Sequence, residues 1–591
     1  MHRCSIRSRA DIAAIEAQPY DRFMAHANVH QALAATAARH PERRALTFIV
    51  DADPATPPRT WSYAQLLADI RRAAGLFRSL AGTDTPRVAM LLPAIPEAYL
   101  TLLGAEAAGV ACPINFLLDP AHLAELVNAA GCNLLVALGP HADLDIWSRV
   151  PALVERCPRL KHVLAVGGAP DHADFAQALA SAPELTDPPA DAHRLAALFH
   201  TGGTTGAPKL AQHTHGNQLQ AAWGAAQLYA MDERDVILNG FPLFHVAGAF
   251  VYGLSALLSG AEVVLPTLLG MRNAAFVQRY WTFVARHGVT LLATVPTVIA
   301  AISSVDPAGA SLSSVRALLT GGSPLPTELA NGFEQRFGIP VRNILGMTEC
   351  AGIISIEPFL APRTPGSCGL PLPFSEVRAD EAGILRVRGP NVGPGYTDAR
   401  RNAGTFTGDG WLVTGDIGHV DAEGRVFVTG RAKDVIIRGA HNLDPQLIEE
   451  ALLQHPQVLM AAAVGEPDEY AGELPVAYVS LKPGGVVPVA ELSAFANERI
   501  PERAAWPKRI ELLPAIPMTA IGKVYKPRLR ALACEHALRE RLARAGLERQ
   551  VQVAVEDTAR GLQVRFTAPA DQQARVAELM RPFALAYSVG T

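Results

Sequence analysis

The chain has 591 residues, of which 49% are hydrophobic and 18% are charged, and its formal net charge is −4. This length exceeds what one hydrophobic core can organise and predicts roughly two to four domains, while the composition excludes a disordered chain. The charge is slightly negative and there is no long basic run. The sequence therefore argues against a nucleic-acid groove or an anionic membrane surface as the main partner.

Seven cysteines are scattered along the chain, at Cys4, Cys112, Cys132, Cys157, Cys350, Cys368 and Cys534. Their number is odd and none forms a C-x-x-C pair, so we expect reduced thiols rather than a metal site or a disulfide framework. The N-terminal residues contain arginines but no continuous apolar segment, and polar residues interrupt the apolar stretch at 250–270. We therefore expect no signal peptide and no membrane span, and predict a cytoplasmic protein.

Helix-like and strand-like patterns alternate from about residue 30 to residue 340. The stretch "TWSYAQLLADIRRAAGLF" places its apolar residues on one helical face, and Ser62 with Gln65 forms a capping-box pattern. A strand at 87–93, a helix at 95–109 and a strand at 132–138 are predicted next. This alternation predicts an α/β architecture of parallel sheets covered by helices.

The pattern changes after about residue 375. Short strand-like segments with Gly and Asp turns lie at 383–390, 410–421 and 424–431 and indicate a small β-barrel or sheet. A new mixed pattern of helices and strands begins after Arg431.

The sequence therefore predicts a large N-terminal domain of residues 1–430 and a smaller α+β domain of residues 431–545. Residues 546–591, which we call the tail, show alternating apolar residues, then helical spacing, then alternation once more. We predict a β-β-α-β order for the tail.

The stretch "TGGTTGAPK" at 201–209 directly follows an apolar run and combines glycines, threonines and a lysine. Glycine lets backbone N–H groups approach phosphate oxygens, and the hydroxyls and the lysine add further donors and a charge. The P-loop pattern G-x-x-x-x-G-K-[ST] is excluded, because the position five residues after Gly203 is Pro208. The segment favours a phosphate-binding loop, and an ordinary strand-to-helix loop is the alternative.

Further motifs follow this stretch in a fixed order: "GGSPLP" (321–326), "LGMTE" (345–349), "TGD" (414–416), "GRAKD" (430–434) and "PMTAIGK" (517–523). Together they resemble the adenylate-forming superfamily, which contains acyl-CoA synthetases, adenylation domains of peptide synthetases and luciferases. The resemblance covers roughly residues 30–530. It implies an enzyme that joins a carboxylic acid to ATP, releases pyrophosphate, and passes the acyl group of the adenylate to CoA.

The resemblance also implies which residues bind the phosphates. Lys209 would hold the departing β- and γ-phosphates as a point charge, while Thr204 and Glu349 would bind Mg²⁺, a hard ion that prefers oxygen ligands. The loop residues assigned to the nucleotide phosphates with them are Thr201, Gly202, Gly203, Thr205 and Gly206.

The same resemblance implies a nucleotide site farther along the chain. Asp416 would accept hydrogen bonds from the ribose hydroxyls, and Arg431 would contact the ribose or the phosphates. The positions that frame adenine and complete the site are Gly321, Gly322, Ser323, Asn343, Ile344, Leu345 and Thr348. Many relatives have an aromatic residue where this chain has Leu345, so we expect aliphatic rather than aromatic stacking on the base.

Lys523 matches the lysine that reaches across from the small domain during adenylation and stabilises negative charge at the α-phosphate. Lys433 matches the hinge about which the small domain turns afterwards. The turn would bring Gly439 and Ala440 to the active site for thioester formation. Relatives usually have a second glycine where this chain has Ala440, so the pantetheine passage is expected to be narrower.

The segment "FPLFHVAGAF" at 241–250 resembles part of the acyl pocket, with His245 as a wall near the carboxylate. The following residues Ala247, Gly248, Ala249, Val251 and Gly253 predict room for a medium-chain, long-chain or aryl acid.

Two alternatives stay open at this point. One is an enzyme that passes the adenylate's acyl group to a carrier protein, and the other is a non-catalytic sensor of nucleotide or acyl ligand. The sequence also leaves open a homodimer and the role of the tail.

Overall fold

The computed structural model describes residues 4–201, 209–439, 441–519, 522–558, 561–581, 583 and 585–590. Within these residues, no helix combines the length and the apolar character that crossing a bilayer would need.

The helices have the following bounds in chain order: α1 Arg9–Glu16, α2 Val29–Arg39, α3 Tyr63–Ala81, α4 Pro96–Ala108, α5 Pro120–Ala130, α6 Val150–Arg156, α7 Phe175–Ala180, α8 His215–Leu228, α9 Ser255–Ser259, α10 Ala274–Gln278, α11 Tyr280–Arg286, α12 Pro296–Ser303, α13 Thr327–Phe337, α14 Pro445–Leu453, α15 Val489–Arg499, α16 Lys526–Arg544 and α17 Gln573–Met580.

The strands have the following bounds: β1 Arg44–Phe48, β2 Arg59–Ser62, β3 Arg87–Leu91, β4 Val110–Pro113, β5 Leu134–Leu138, β6 His162–Val166, β7 Ala173–Asp174, β8 Leu195–His200, β9 Leu210–Thr214, β10 Val236–Asn239, β11 Glu262–Leu265, β12 Leu291–Thr294, β13 Ala317–Gly321, β14 Val341–Leu345, β15 Ser355–Ile356, β16 Leu370–Pro371, β17 Glu376–Ala379, β18 Ile384–Arg388, β19 Leu412–Val420, β20 Val426–Arg431, β21 Ile436–Arg438, β22 His441–Leu443, β23 Val458–Asp468, β24 Gly472–Leu481, β25 Arg509–Leu512, β26 Gln552–Thr558, β27 Gly561–Thr567 and β28 Ala586–Gly590.

The local signals in the first third of the chain are confirmed. Ser62 accepts a hydrogen bond from the backbone of Gln65 and the Gln65 side chain accepts one from the backbone of Ser62, which forms the predicted capping box of α3. The predicted strands at 87–93 and 132–138 are β3 and β5, and they pair in parallel.

Two large sheets organise the N-terminal part. One has the order β7-β6-β5-β3-β4-β8-β9 and the other the order β16-β15-β14-β13-β12-β10-β11-β1-β2. The pairs β10–β12, β12–β13 and β13–β14 are all parallel, so the carboxyl ends of these strands lie at one edge of the sheet. Ligands of open α/β sheets bind at such an edge. The predicted α/β class is confirmed.

Where the sequence predicts a small β-barrel or sheet, the structure has a four-stranded antiparallel sheet with the order β17-β18-β19-β20. The next sheet has the order β22-β21-β24-β23, with β25 added in parallel to β24. Its core contains buried residues of α14 and α15 as well as of the strands, including Ile448, Leu452 and Leu492.

The tail has the predicted β-β-α-β order, with β26, β27, α17 and β28. Strands β26 and β27 form an antiparallel hairpin, and β28 pairs in parallel with β27 after the crossover through α17. The apolar residues that alternate in the sequence, including Val553, Val555, Val564 and Phe566, are buried in one cluster.

Candidate active site

A cleft of about 3000 Å³ separates the carboxyl ends of β13 and β14 from the small C-terminal domain. Residues from the nine-stranded sheet, from the strands β19 and β20, and from the small domain line it together. The motifs that are far apart in the sequence therefore meet around one space.

The segment 201–209 connects two antiparallel strands, β8 and β9, and Thr201 donates its backbone N–H to the carbonyl of Lys209 at 3.0 Å. The alternative of an ordinary strand-to-helix loop is therefore wrong, because a strand follows the loop. Thr201 and Lys209 both line the cleft. The predicted phosphate and metal residues Gly202, Gly203, Thr204, Thr205 and Gly206 lie outside the described residues.

Glu349 lies in a short helical turn, Thr348–Cys350, that follows the end of β14. Its side chain is buried and its carboxylate accepts a hydrogen bond from the hydroxyl of Tyr396. The ring of Tyr396 also lies under Lys209, whose Nζ is 5.3 Å from the ring centroid. Burial and the neighbouring Glu349 raise the pKa of Tyr396, so its hydroxyl stays protonated and donates. Tyr396 thus joins the predicted metal ligand to the predicted phosphate lysine.

Asp416 and Arg431 face each other across the pair β19–β20. The Nε atom of Arg431 donates to Oδ1 of Asp416 at 2.7 Å. The Asp416 side chain is 5% exposed whereas that of Arg431 is 48% exposed. A charged hydrogen bond therefore fixes the carboxylate, while part of the guanidinium is open toward the cleft.

Lys523 lies in a turn that reaches the large domain. Its backbone N–H donates to Oγ1 of Thr519 at 3.0 Å, and Oγ1 of Thr297 donates to the carbonyl of Gly522 at 3.2 Å. Gly322 has a φ of +85°, and a Cβ atom built there would lie 3.2 Å from Cε of Lys523. The lysine therefore lies directly over Gly322, at the end of β13, where a side chain at position 322 would displace it.

The charges around Lys523 affect two pKa values. Burial and the positive charge of Arg431 lower the pKa of Lys523 to about 8, while Asp416 opposes this shift. Burial, together with Lys523 and His200, lowers the pKa of His245 to about 3. His245 is consequently a neutral imidazole near pH 7, which suits a wall residue better than an acid catalyst.

The predicted adenine-framing residues lie at the ends of β13 and β14 and line the cleft. Packing explains why residue 321 is a glycine, since a Cβ atom there would be 2.2 Å from Cγ2 of Ile344. The side-chain N–H of Asn343 donates to the carbonyl of Ser367 at 3.2 Å, so Asn343 also fixes the segment around Ser367. Ser323, Leu345 and Thr348 complete this side of the cleft.

The structure describes two of the three residues predicted to take part in the domain movement, Lys433 and Gly439. Lys433 is exposed, lies two residues after the end of β20 and lines the cleft. Gly439 has a φ of +59° and donates its N–H to the carbonyl of Ala471 at 2.7 Å. Ala440 lies outside the described residues.

The structure places only part of the predicted acyl-pocket segment on the cleft. Residues Ala247–Leu254 form a π-helix, an uncommon form that is often found at functional sites. His245, Ala247 and Val251 line the cleft. Gly248, Ala249 and Gly253 do not.

These three small residues are packed against the protein interior instead. A Cβ at Gly248 would be 2.4 Å from the carbonyl oxygen of Pro242, and a Cβ at Gly253 would be 2.5 Å from the hydroxyl of Tyr99. Ala249 is buried at 2% exposure. The packing of the π-helix requires glycine at 248 and 253, and Ala249 is buried beside them, so the small size of these residues does not indicate the volume available to the substrate.

Two site residues are missing from the sequence prediction. Tyr396 stands in "GPGYT", where an aromatic residue between glycine and threonine was the available signal. His200, next to Thr201, accepts a hydrogen bond from the backbone of Asn115 at 3.1 Å, and burial lowers its pKa to about 4. Its position directly before the phosphate motif was the only hint in the sequence.

The predicted Mg²⁺ site has few protein ligands. Among the described residues, no group of three or more His, Cys, Asp or Glu side chains is arranged to hold a metal ion. The buried carboxylate of Glu349 is a suitable oxygen donor for Mg²⁺, and nucleotide phosphates would have to supply most other ligands.

Comparison with known proteins identifies the family. A model described as AMP-binding enzyme matches residues 33–397, and one described as AMP-binding enzyme C-terminal domain matches residues 447–523. The chain is 35% identical over 545 residues to the marinolic acid–CoA ligase of Pseudoalteromonas sp. (strain SANK 73390), covering 88% of this chain and 83% of the relative.

Solved structures agree with this result. The o-succinylbenzoate CoA synthetase of Bacillus subtilis, solved in complex with its acyl-adenylate intermediate, has a TM-score of 0.69 and 26% identity over 84% of this chain and 97% of its own. An anthranilate CoA ligase in complex with anthranoyl-AMP shows the same fold, with a TM-score of 0.77 and 23% identity over 87% of this chain and 98% of its own. The chain belongs to the AMP-binding enzyme family, the adenylate-forming superfamily, and within it to the acyl-CoA synthetases.

Proposed function

We propose that this acyl-CoA synthetase, an AMP-forming acid–thiol ligase, activates a medium-chain, long-chain or aryl carboxylic acid. The acid attacks the α-phosphate of ATP and releases pyrophosphate, and the thiol of CoA then displaces AMP from the acyl adenylate. The observation that carries this proposal is the meeting of Lys523, Asp416 and Arg431 in one cleft, with Lys523 held over Gly322.

Each charged group has a distinct task in the first step. Lys523 would stabilise the negative charge that builds at the α-phosphate, and Lys209 would hold the departing pyrophosphate. Asp416 would accept hydrogen bonds from the ribose, because its buried carboxylate is already oriented by Arg431. These groups are positioned before the reaction, which avoids the reorganisation that water would need.

Mg²⁺ would neutralise phosphate charge when bound, and Glu349 with Thr204 would hold it. The hydrogen bond from Tyr396 fixes Oε1 of Glu349, so the carboxylate cannot rotate freely. A fixed carboxylate loses less entropy when it binds a cation.

The walls next to His245 support the proposed class of acid. The side chains there are mainly apolar and aromatic, and include Phe241, Val246, Val251 and Tyr252. Such walls favour an acid with a large apolar group over acetate, because each buried methylene contributes about 0.8 kcal/mol. The relatives named for marinolic acid and for long-chain fatty acids accord with this choice.

A panel of carboxylic acids tests the proposal by CoA-dependent release of AMP. We expect medium-chain, long-chain or aryl acids to exceed acetate in kcat/KM. Acetate as the best substrate would contradict the acid class, whereas absence of CoA-dependent AMP release with every acid would contradict the reaction itself.

The division into domains of residues 1–430, 431–545 and 546–591 is part of the proposal, with Lys433 as the hinge and Gly439 and Ala440 beside the pantetheine arm. Transfer to a carrier protein is less favoured, because the named relatives are CoA ligases. The free state of all seven cysteines supports a cytoplasmic setting. The homodimer stays a prediction, which analytical ultracentrifugation would test.

A further inference from the structure

The tail shares a hydrophobic core with the last helix of the small domain. Helix α16 packs Leu529 and Ala533 against the small-domain sheet, and its other face, with Leu538 and Leu542, packs against the tail. The helix therefore lies between two sheets, and the tail and the small domain form one packed body.

A second contact fixes the tail through its helix α17. Arg541 of α16 donates to the carbonyl of Leu579 in α17 at 3.0 Å and pairs with Glu469 of the small domain. Because this arginine holds both partners, the tail is attached by polar groups as well as by its core.

The tail also reaches the hinge. Arg530 of α16 pairs through Nη1 with Asp434 at 2.7 Å and through Nε with Asp557 of β26 at 2.6 Å. The Asp557 side chain is 7% exposed and that of Arg530 is 20% exposed. One guanidinium thus bridges a carboxylate of the tail and the carboxylate next to Lys433.

Asp434 closes a tight turn that begins in the ribose site. Its backbone N–H donates to the carbonyl of Arg431 at 2.9 Å, and Val435 donates to the same carbonyl at 3.2 Å. We call residues 431–434 the hinge turn. The Arg530–Asp434 ion pair therefore lies one turn away from Arg431, whose guanidinium binds Asp416.

The end of the β26–β27 hairpin and the start of β28 complete this arrangement, since Asp557, Leu562 and Ala586 line the cleft beside Lys433 and Asp434. The anthranilate CoA ligase structure is matched over 98% of its length but over only 87% of this chain. This chain accordingly contains segments that the solved relative lacks.

We propose that the tail positions the hinge of this enzyme: Asp557 holds the guanidinium of Arg530 on Asp434, and this bridge fixes the hinge turn that presents Arg431 to the nucleotide. The inference rests on the proposed function. Asp557 and Arg530 are proposed as positioning residues, since they act through Asp434.

The bridge requires the geometry of arginine. A guanidinium offers a planar fork of donors that can bind two carboxylates at once, whereas a lysine ammonium acts as a single point charge. Without the bridge, Asp434 and Asp557 would each lose a charged hydrogen bond. The hinge turn would keep its own backbone bonds and its contacts with β19, which are the Ala432 N–H to the carbonyl of Gly415 and Arg431 to Asp416, but Asp434 would lose its link to the tail.

The test compares Asp557→Asn with Glu556→Gln, a matched control that removes the same charge from an exposed neighbour on the same strand. We expect Asp557→Asn to lower kcat/KM for acid-dependent pyrophosphate exchange about tenfold, which is the loss of roughly one charged hydrogen bond. Thiolysis of a supplied acyl adenylate by CoA should change less than exchange. Arg530→Lys should reproduce this difference between the half-reactions.

A second readout does not depend on knowing the acid. Trypsin cleavage after the exposed Lys433, followed by mass spectrometry of the fragments, reports how firmly the hinge turn is held. We expect faster cleavage in Asp557→Asn than in Glu556→Gln. Equal behaviour of these two variants in cleavage and exchange would overturn the inference, as would an equal fall of both half-reactions together with a lower unfolding temperature. If the native protein turns over no acid, the proposed function fails, while the cleavage comparison still decides the role of the tail.

Discussion

At the scale of single residues, Lys523 and Arg431 bring two positive charges to one end of the cleft before any anion is bound. Burial and, to a smaller extent, repulsion by Arg431 lower the pKa of Lys523 to about 8. A lowered lysine pKa means that the charged form is destabilised in the free enzyme, which is typical of sites that stabilise a charge developing during the reaction.

The first prediction concerns the role of this lysine. Lys523→Ala should lower acid-dependent pyrophosphate exchange about a hundredfold or more, because the charge that stabilises the reacting phosphate is lost. CoA attack on a supplied acyl adenylate should be affected much less, since in the proposed mechanism the lysine acts only before the domain turns. Equal losses in both half-reactions would contradict the assignment.

The second prediction concerns pH. Lys523 is charged below its pKa of about 8 and neutral above it, so kcat/KM for adenylation should fall as the pH rises through 8. The slope should approach roughly one tenfold loss per pH unit, measured in the free-enzyme parameter kcat/KM. Lys523→Arg is the control, because its side chain keeps its charge throughout. A native profile that stays flat to pH 10 would contradict this prediction.

The third prediction concerns Tyr396, which the sequence did not reveal. Tyr396→Phe keeps the ring under Lys209 but removes the hydroxyl that holds Glu349. We expect exchange to fall about tenfold and the half-saturating Mg²⁺ concentration to rise, as for a lost hydrogen bond to a charged group. Titration of Mg²⁺ in the exchange assay measures both. An unchanged half-saturating Mg²⁺ concentration would contradict a role of Tyr396 in positioning the metal ligand Glu349.

At the scale of secondary structure, the π-helix Ala247–Leu254 is held in shape by its small residues. In the fourth prediction, Gly248→Ala lowers the apparent unfolding temperature by a few degrees, because the new methyl group would press on the backbone of Pro242 and strain of about 1–3 kcal/mol is usual.

Gly332→Ala in α13 provides the control for this variant. A Cβ at position 332 has no heavy atom within 4 Å, and alanine favours a helix by up to about 1 kcal/mol over glycine. We expect an unchanged or slightly higher unfolding temperature. If the two variants unfold alike, the packing argument for the π-helix is wrong.

At the scale of the whole molecule, a small domain closes the cleft and places Lys523 over Gly322, which we propose is the arrangement used for adenylation. Thioester formation is proposed to need a second arrangement, in which Gly439 and Ala440 face the acyl adenylate. The bulk of residue 440 should therefore matter in one half-reaction alone.

The fifth prediction uses this difference. Ala440→Leu adds three heavy atoms at the residue that we propose borders the pantetheine arm of CoA, so acyl-CoA formation should collapse while pyrophosphate exchange persists. Ala440→Gly should leave CoA turnover equal or faster. Rapid quench with and without CoA measures the adenylate that accumulates, and a native protein whose adenylate CoA does not discharge would favour transfer to another acceptor.

The sequence predicted the fold class because its signals are local. The capping box of α3, the apolar strands β3 and β5, and the alternating residues of the tail each arise from neighbours along the chain. The pocket prediction at Gly248 and Gly253 failed for a physical reason. The sequence alone does not distinguish a small residue that leaves space for a ligand from one that leaves space for neighbouring protein atoms, here those of Pro242 and Tyr99.

The motifs and their order let the sequence by itself determine the superfamily, and the resemblance to that superfamily implied the adenylyl-transfer chemistry. Only the tertiary structure decided which groups act together. Tyr396 meets Glu349 from 47 positions away, and Arg530 joins Asp434 to Asp557 across two elements. Such contacts depend on how sheets and helices pack, and packing is specified by the whole chain rather than by any short stretch of it.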